Sequence, residues 1–522
     1  MTFLRTAAAV TLVAAASLAA VAATAQPAAD TLRVRLNADI RSTDPGVNRD
    51  GNTDAVVLHV VEGLVGFRDD TSVGPMLAER VYVAPDGLSY TFRLREGVQF
   101  HNGAQLTSAD VAFAWKRYMD PATQWRCLPE FDGRGVSKVT AIETPDLRSV
   151  VFRLERPAAL FLTAMARVDC GSAGIWHRDS LDADGKWKEP IGTGPFRLGE
   201  WRRGQFVELL RNDAYAARSE PRSGHTGDRT PRVGKVRFVV VPDASAAKAA
   251  LLAGNLDIIT DVSANDAKEL AARNDVHVEN VSTMDMQAIL FQTNDKLLGD
   301  VRVRRALALS LDVGEIVATV SEGRSKANRS PIPTPSSFNT GPHATVPASN
   351  IDQARRLLAE AGYRGEPIRL ATTQRYPALF DIAVMAQAMA QRAGIRIELD
   401  VVDWAALLDR YTKGDYQAMV FSYSARLDPS LSFDMFTGPK ATEPRKAWDN
   451  PEVQTLLRES FTTVDRTRRQ AIYDELLRRL LDEVPIVALY SSIDSAAVRR
   501  NVSGYAGWAL GQPRLWGVSF AN

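Results

Sequence analysis

The segment Tyr423-Ser424-Ala425-Arg426-Leu427-Asp428-Pro429 places a phenol, a guanidinium and a carboxylate in one short loop. These groups are suited to holding a charged solute. Arg426, if it faces a cleft, suits a carboxylate or phosphate, because its planar fork donates to two oxygens at once. The alternatives are a solvated loop charge or a salt bridge within its own domain. Asp428 could pair with an ammonium, although the Asp of an Asp-Pro turn more often bonds its own backbone. A second loop, Thr373-Gln374-Arg375-Tyr376, adds a guanidinium and another phenol. Tyr376 and Tyr423 could stack on a ligand, whereas Trp404, at the start of a helix, suits a core position better. Near the N-terminus, Asp39 and Arg41 follow the strand Leu32 to Leu36 at its carboxyl end.

Spacing that would support catalysis is missing. The six histidines, His59, His101, His177, His225, His277 and His343, are far apart, with no His-x-x-x-His or Cys-x-x-Cys pair. There is no Gly-x-Ser-x-Gly elbow, and Gly192-Thr193-Gly194-Pro195 lacks the Lys and Ser/Thr of a phosphate loop. Binding without turnover is the expectation, with no cofactor and no metal; a nickel role is disfavoured because the Ser424–Pro429 loop carries no histidine.

The elements around these loops explain why the loops matter. Ile368 to Thr372 reads as a strand, Ala378 to Ala393 as a helix ended by Gly394, and Ile395 to Val402 as another strand. Asp403 caps a helix through Tyr411 that Gly414 ends, and Tyr416 to Tyr423 is a third strand. Alternating strands and helices predict a right-handed parallel sheet covered by helices. Ligands of such sheets sit outside the carboxyl ends of the strands, which are the two loops above. Lys235 to Thr260 forms a second strand–helix–strand unit, with Asp243 as helix cap and Gly254 as its end. Asp86 to Trp115 reads as a turn, a strand alternating Tyr90, Phe92 and Leu94, and a helix. Thr107 and Asp110 have capping-box spacing, and Val111, Ala114, Trp115 and Tyr118 form the apolar stripe.

Arg5 is the only charge among the first 29 residues, an Ala/Val/Leu run follows, and Ala23-Thr24-Ala25 offers a small-x-small cleavage site. Cleavage after Ala25 is expected; a membrane-spanning anchor is the alternative, since the uncharged stretch is about long enough to cross a bilayer. Loss of Arg5 with the leader takes 63 basic residues to 62, against 62 acidic ones, so the mature chain is neutral. Neutrality gives no support to nucleic-acid or anionic-membrane binding. A length of 522 residues with 45% hydrophobic residues can bury more than one core. Cys127 and Cys170, an even count in a chain bound for an oxidising compartment, favour a disulfide; two separately buried thiols are the alternative.

The stretch from Asp86 to Trp115 closely resembles the signature of the bacterial extracellular solute-binding proteins of family 5, the peptide/nickel/opine-type receptors of ABC importers. The resemblance continues through Glu62-Gly63-Leu64, Pro75-Met76-Leu77-Ala78-Glu79, Ile191 to Leu198, Arg211-Asn212-Asp213-Ala214-Tyr215, Ala253 to Asp257, Val301 to Leu307 and Ala354 to Tyr363. It implies a two-lobed α/β periplasmic binding protein of type II, in the large form with an extra inserted subdomain and a ligand cleft between the lobes. Lobe one would comprise residues 30–280 plus 490–522, with the insertion at about 67–189 holding both cysteines, and lobe two residues 281–489. Residues 1–25 would be the signal peptide. Pro485 to Tyr490 resembles the family's return strand and second hinge.

Peptide binders of the family present an Asp a few residues before an acidic-Pro pair, where it meets the ligand's ammonium. Here that position is Ala425, or Arg426 with one deletion, and neither is acidic. The ligand is therefore expected to be anionic, or at least to lack a dominant free ammonium. The resemblance also implies a role for Glu62 in ligand contact. The expected function is a soluble, monomeric periplasmic receptor that delivers a small polar solute, peptide-like or opine-like, to a permease–ATPase complex in the inner membrane. A chemosensory receptor and, behind it, a secreted hydrolase are the alternatives.

Overall fold

The structure is a computed structural model that describes residues 31–521. The expected signal peptide and its cleavage after Ala25 lie outside the described residues. Two large sheets organise the chain. The first has seven strands, in spatial order Val276–Ser282, Ile493–Arg499, Ile258–Ile259, Thr31–Leu36, Lys235–Val240, Phe206–Arg211 and Phe196–Arg202. The second has five, in the order Ile397–Val401, Ile368–Thr372, Ala418–Tyr423, Met286–Phe291 and Ile486–Tyr490. Separate apolar clusters pack against each sheet.

Local chemistry sets the element boundaries closely. Asp243 and Asp403 cap the helices Ala244–Leu252 and Trp404–Lys413 by accepting from the backbone N–H three residues on. Gly414 ends the latter helix in the left-handed region, where a side chain would be strained. The strand Ile368–Thr372 is parallel to both Ile397–Val401 and Ala418–Tyr423. Pairing departs from a purely parallel sheet in one respect: Met286–Phe291 runs antiparallel between Ala418–Tyr423 and Ile486–Tyr490. The reason is topological, because Met286–Phe291 arrives directly from the first sheet without a crossover helix. The strand–helix–strand unit at Lys235–Ile259 likewise does not pair with itself. Thr31–Leu36 lies between its two strands and is parallel to both.

A third, four-stranded antiparallel sheet, Ala78–Val83, Ser89–Leu94, Ser149–Leu154 and Val139–Asp146 in spatial order, forms the inserted subdomain. Tyr90, Phe92 and Leu94 face inward from the second strand. The helix Ser108–Tyr118 carries the Thr107/Asp110 capping box and buries Val111, Ala114, Trp115 and Tyr118. Trp115 packs edge-on against Trp125, Phe131 and Phe152, a geometry that sets the positive ring edge against a negative face. Cys127 and Cys170 are joined by a disulfide in this core.

The chain passes between the two large sheets twice, through Thr283–Asp285 and through Ser491–Ser492. The crossings run side by side. The Thr283 N–H donates to the Ser492 carbonyl at 2.9 Å, and the Ser491 hydroxyl donates to the Asp285 carbonyl at 2.7 Å.

Candidate functional site

Because Ile368–Thr372 and Ala418–Tyr423 are neighbours and parallel, their carboxyl ends lie side by side and bring the two candidate loops together. Arg375 and Tyr376 are exposed there, Tyr376 to 43%. Tyr376 meets Trp404 edge-on with ring centroids 5.0 Å apart, and Trp404 stacks on Phe421, which also contacts Tyr411 and Tyr423. One end of this aromatic row is open to solvent at Tyr376, and Trp404 packs against both lobe-two cores. Tyr423 is buried within lobe two.

Arg426 is half-buried and forms no ion pair among the described residues. Its Nη1 donates to the carbonyl of Ala425 at 2.9 Å and, weakly, to that of Ser424 at 3.4 Å, while its backbone N–H donates to the Met284 carbonyl beside the hinge. Burial lowers the Arg426 guanidinium from its ordinary value; Asp434 and Tyr411 oppose the shift, and the positive charges of Arg167 and Arg445 add to it. Three guanidiniums therefore act on one region, Arg426 and Arg445 from lobe two and Arg167 from the insertion. Arg167 is itself paired with Asp169 and Glu130. Arg167 and Arg445 carry no sequence signal, since neither lies in a motif or at a strand end. Ala425 is exposed next to Arg426 and leaves the loop with no carboxylate directed outward.

Asp428 is buried. It caps the short helix Pro429–Asp434 by accepting from the Ser430 N–H, and both its oxygens accept from Arg469 Nη2, at 2.7 and 2.9 Å. The Asp-Pro turn chemistry and the ion pair together occupy this carboxylate. Glu62 is 1% exposed in lobe one. Its Oε1 accepts from Arg229 at 3.0 Å and from the Tyr215 hydroxyl at 2.8 Å, and its Oε2 accepts from the Thr193 hydroxyl at 2.9 Å. Glu62 thus joins three of the sequence blocks in one buried network and presents no open oxygen. Gly192 and Gly194 in the same network lie against the backbone carbonyls of Val60 and His59, where a Cβ would sit 2.0 and 2.4 Å from oxygen.

On lobe one, Asp39 follows the strand Thr31–Leu36 and accepts from Trp201 Nε1 and from the backbone N–H of Ile40 and Gly204, which pins the Trp201–Gly204 turn. Arg41 is exposed, and its backbone N–H donates to Thr53. A cavity of about 330 Å³ opens at this strand end, lined in part by Asn37, Asp50, Asn52, Thr260 and Asp261. Where the lobes meet, a second cavity of about 440 Å³ has walls from both, including Arg68 and Asp70 on one side and Phe338, Leu427 and Arg466 on the other. The Ser337 N–H donates to the Asp70 carbonyl at 2.7 Å across this seam. A further polar cavity of about 520 Å³, with Arg369, Asp415 and Lys440 in its wall, lies at the amino ends of the same lobe-two strands, away from the candidate loops. Cys127, Asp169 and Cys170 converge closely enough to hold an ion, but both sulfurs are in the disulfide. No described helix is long and apolar enough to cross a membrane.

The family model for bacterial extracellular solute-binding proteins, family 5 (middle region), matches residues 72–443. The oligopeptide-binding protein AppA of Bacillus subtilis is 28% identical over 458 residues, spanning 82% of this chain and 80% of the relative. Among solved structures, HbpA2 from Haemophilus parasuis superposes with a TM-score of 0.81 at 24% identity, covering 94% of this chain and all of that one. AgaA, solved in complex with agropinic acid, superposes with a TM-score of 0.61 at 27% identity, covering 94% and 99%.

Proposed function

The chain belongs to the bacterial extracellular solute-binding proteins of family 5, and from that premise we propose that it captures a polar solute that is anionic, or at least lacks a dominant free ammonium, between its lobes and hands it to an ABC permease–ATPase complex. Membership makes it a solute receptor of the peptide-transport type; the ligand class is the proposed part. One observation carries it: Arg426 stands half-buried and without a carboxylate partner at the carboxyl end of a central strand, beside an alanine. A desolvated ammonium at this place would meet the unpaired guanidinium of Arg426, opposed in part by the half-exposed carboxylate of Asp434, which is unfavourable. A carboxylate or phosphate would receive two parallel hydrogen bonds. Exposed Tyr376 and Arg375 supply a flat apolar surface and a second cation on the neighbouring loop. Lobe one would close from the Asp39–Arg41 side, and contacts made to both lobes only when closed would stabilise the closed population.

AppA is named for oligopeptides and AgaA was solved in complex with agropinic acid. A peptide-like or opine-like solute carrying a dominant negative group fits both the family and this loop. Export by a cleaved leader, a monomeric state and the absence of turnover belong to the same proposal. Mass spectrometry of the solute that copurifies with the native protein, followed by calorimetry on wild type and Arg426→Ala, tests it. The expected loss for Arg426→Ala is about 1.5–3 kcal/mol, the range for a charge-assisted hydrogen bond. Tight binding of unmodified oligopeptides, unaffected by Arg426→Ala, would overturn the ligand class.

A further inference from the structure

Six arginines are buried among the described residues, Arg35, Arg229, Arg304, Arg329, Arg469 and Arg514, and five of them have partners. Arg229 pairs with Glu62, Arg469 with Asp428 and Arg514 with Asp69. Arg35 and Arg304 donate to backbone carbonyls, those of Val241 and Pro242 for the first and of Leu298 and Glu483 for the second. Arg329 differs from all of them. It is 6% exposed, yet it has no hydrogen bond and no carboxylate within ion-pair distance among the described residues, and its Nε is enclosed without a partner. Arg229, Arg469 and Arg514 also leave Nε unpaired, but each commits one Nη atom to a carboxylate.

The polar groups next to Arg329 in the chain cannot serve it, because they are committed to one another. Asn328 Oδ1 accepts from the Ser330 N–H and its Nδ2 donates to the Ile332 carbonyl, while the Ser330 hydroxyl shares a hydrogen bond with His343 Nδ1. Burial lowers the Arg329 guanidinium to about 10, with no nearby charge contributing, so it is still a cation at neutral pH. A buried, unpaired cation is among the least favourable arrangements a protein interior can hold.

The location narrows what could compensate it. The Asn328 N–H donates to the Leu489 carbonyl at 2.7 Å and the Ser325 hydroxyl to the Ser491 carbonyl at 2.8 Å, so this segment runs along the end of the strand Ile486–Tyr490 where the chain leaves for lobe one. Eight residues after Arg329, Ser337 donates across the seam to Asp70.

We propose that Arg329 is the receptor for an anion at the hinge end of lobe two, either an acidic group of the captured solute or a small inorganic ion such as chloride. The first source rests on the solute-binding reading; the second is independent of it. In both cases a guanidinium that the protein leaves unpaired is completed from outside; in the empty chain its Nε is enclosed without a partner and only solvent reaches its Nη atoms.

Thermal unfolding of the full mature chain in sodium HEPES, with and without added chloride, phosphate or acetate, tests this beside calorimetry with Ala-Ala and N-acetyl-Ala-Ala. In HEPES alone Arg329→Met is expected to melt several degrees above wild type, because it removes an uncompensated charge. Wild type is expected to be stabilised by one of the anions or by an acidic probe, and the response is expected to disappear in Arg329→Met and to fall at least tenfold in affinity in Arg329→Lys. A response to chloride or phosphate alone identifies the inorganic source, and a response confined to the carboxylate-bearing probes identifies the solute. An Arg329→Met protein that melts below wild type and responds to every probe as wild type does would overturn the anion site while leaving the solute-binding reading intact. A chloride response that depends on Arg329, with no organic probe bound, would remove Arg329 from the solute site and leave the anion site standing.

Discussion

Asp285, on the outgoing crossing between the lobes, accepts a 2.6 Å hydrogen bond from the backbone N–H of Ser492 on the returning one. The same carboxylate accepts from the Thr283 hydroxyl at 2.8 Å and from Gln287 Nε2 at 3.3 Å. One side chain therefore sets the geometry of both crossings. Lobe closure must turn about these residues, so the stiffness of the hinge depends on a charge-assisted network that the surrounding strands hold in place.

Asp285→Ala is expected to lower the unfolding free energy by about 1.5–3 kcal/mol, the range for hydrogen bonds to a charged group, and to widen the spread of lobe separations in the empty protein. Denaturant unfolding and small-angle X-ray scattering measure the two effects. An unchanged scattering profile together with unchanged stability would show that the backbone pairing alone defines the hinge.

Glu62 and Asp428 are buried carboxylates with arginine partners, and each is expected to act on stability. Removing one charge of such a pair leaves the other uncompensated, so Glu62→Gln and Asp428→Asn should each cost about 3–5 kcal/mol in urea unfolding. Solute affinity of the folded fraction should change little. Loss of affinity without loss of stability would return that residue to the ligand site.

The disulfide Cys127–Cys170 closes a chain separation of 43 residues. Replacing both cysteines by serine is expected to destabilise the insertion by roughly 2–5 kcal/mol, the usual range for removing a native disulfide. Calorimetric melting of the double variant against wild type checks the size, and two alkylatable thiols in unreduced, unfolded wild type would exclude the bridge.

Acid should weaken the fold through His343. Burial lowers its imidazole from 6.5 to about 4, against the opposing pull of Asp474. Between those values the unfolded chain binds the proton and the folded chain does not, so stability is full above pH 6.5 and falls as the pH drops toward 4. This one group contributes up to about 1.4 kcal/mol per pH unit. His59, lowered to about 3 by burial, acts in the same direction. Asp54, raised to about 6 by burial, acts in the opposite direction, because the folded chain then holds its proton more tightly. The difference in pH dependence between wild type and His343→Gln isolates the histidine; parallel curves for the two proteins would contradict the assignment.

The sequence by itself determined the elements and the family. Caps such as Thr107, Asp243 and Asp403, the glycine stop at Gly414, and strands alternating in burial rest on interactions within a few residues, so local spacing suffices to read them. It also determined that Tyr376, Arg375 and Arg426 stand at adjacent strand ends, since the order of strands and helices dictates where carboxyl ends gather. Tertiary structure alone decided which charged groups are free. Glu62 and Asp428 have the same chemistry as a ligand-binding carboxylate, and only the approach of Arg229 and Arg469, 167 and 41 residues away in the chain, converts them into internal supports. Arg329 is the converse case: in the sequence it is one of 63 basic residues, and only burial without a partner sets it apart. Pairing and desolvation depend on what surrounds a group in space, and spacing along the chain does not encode that environment.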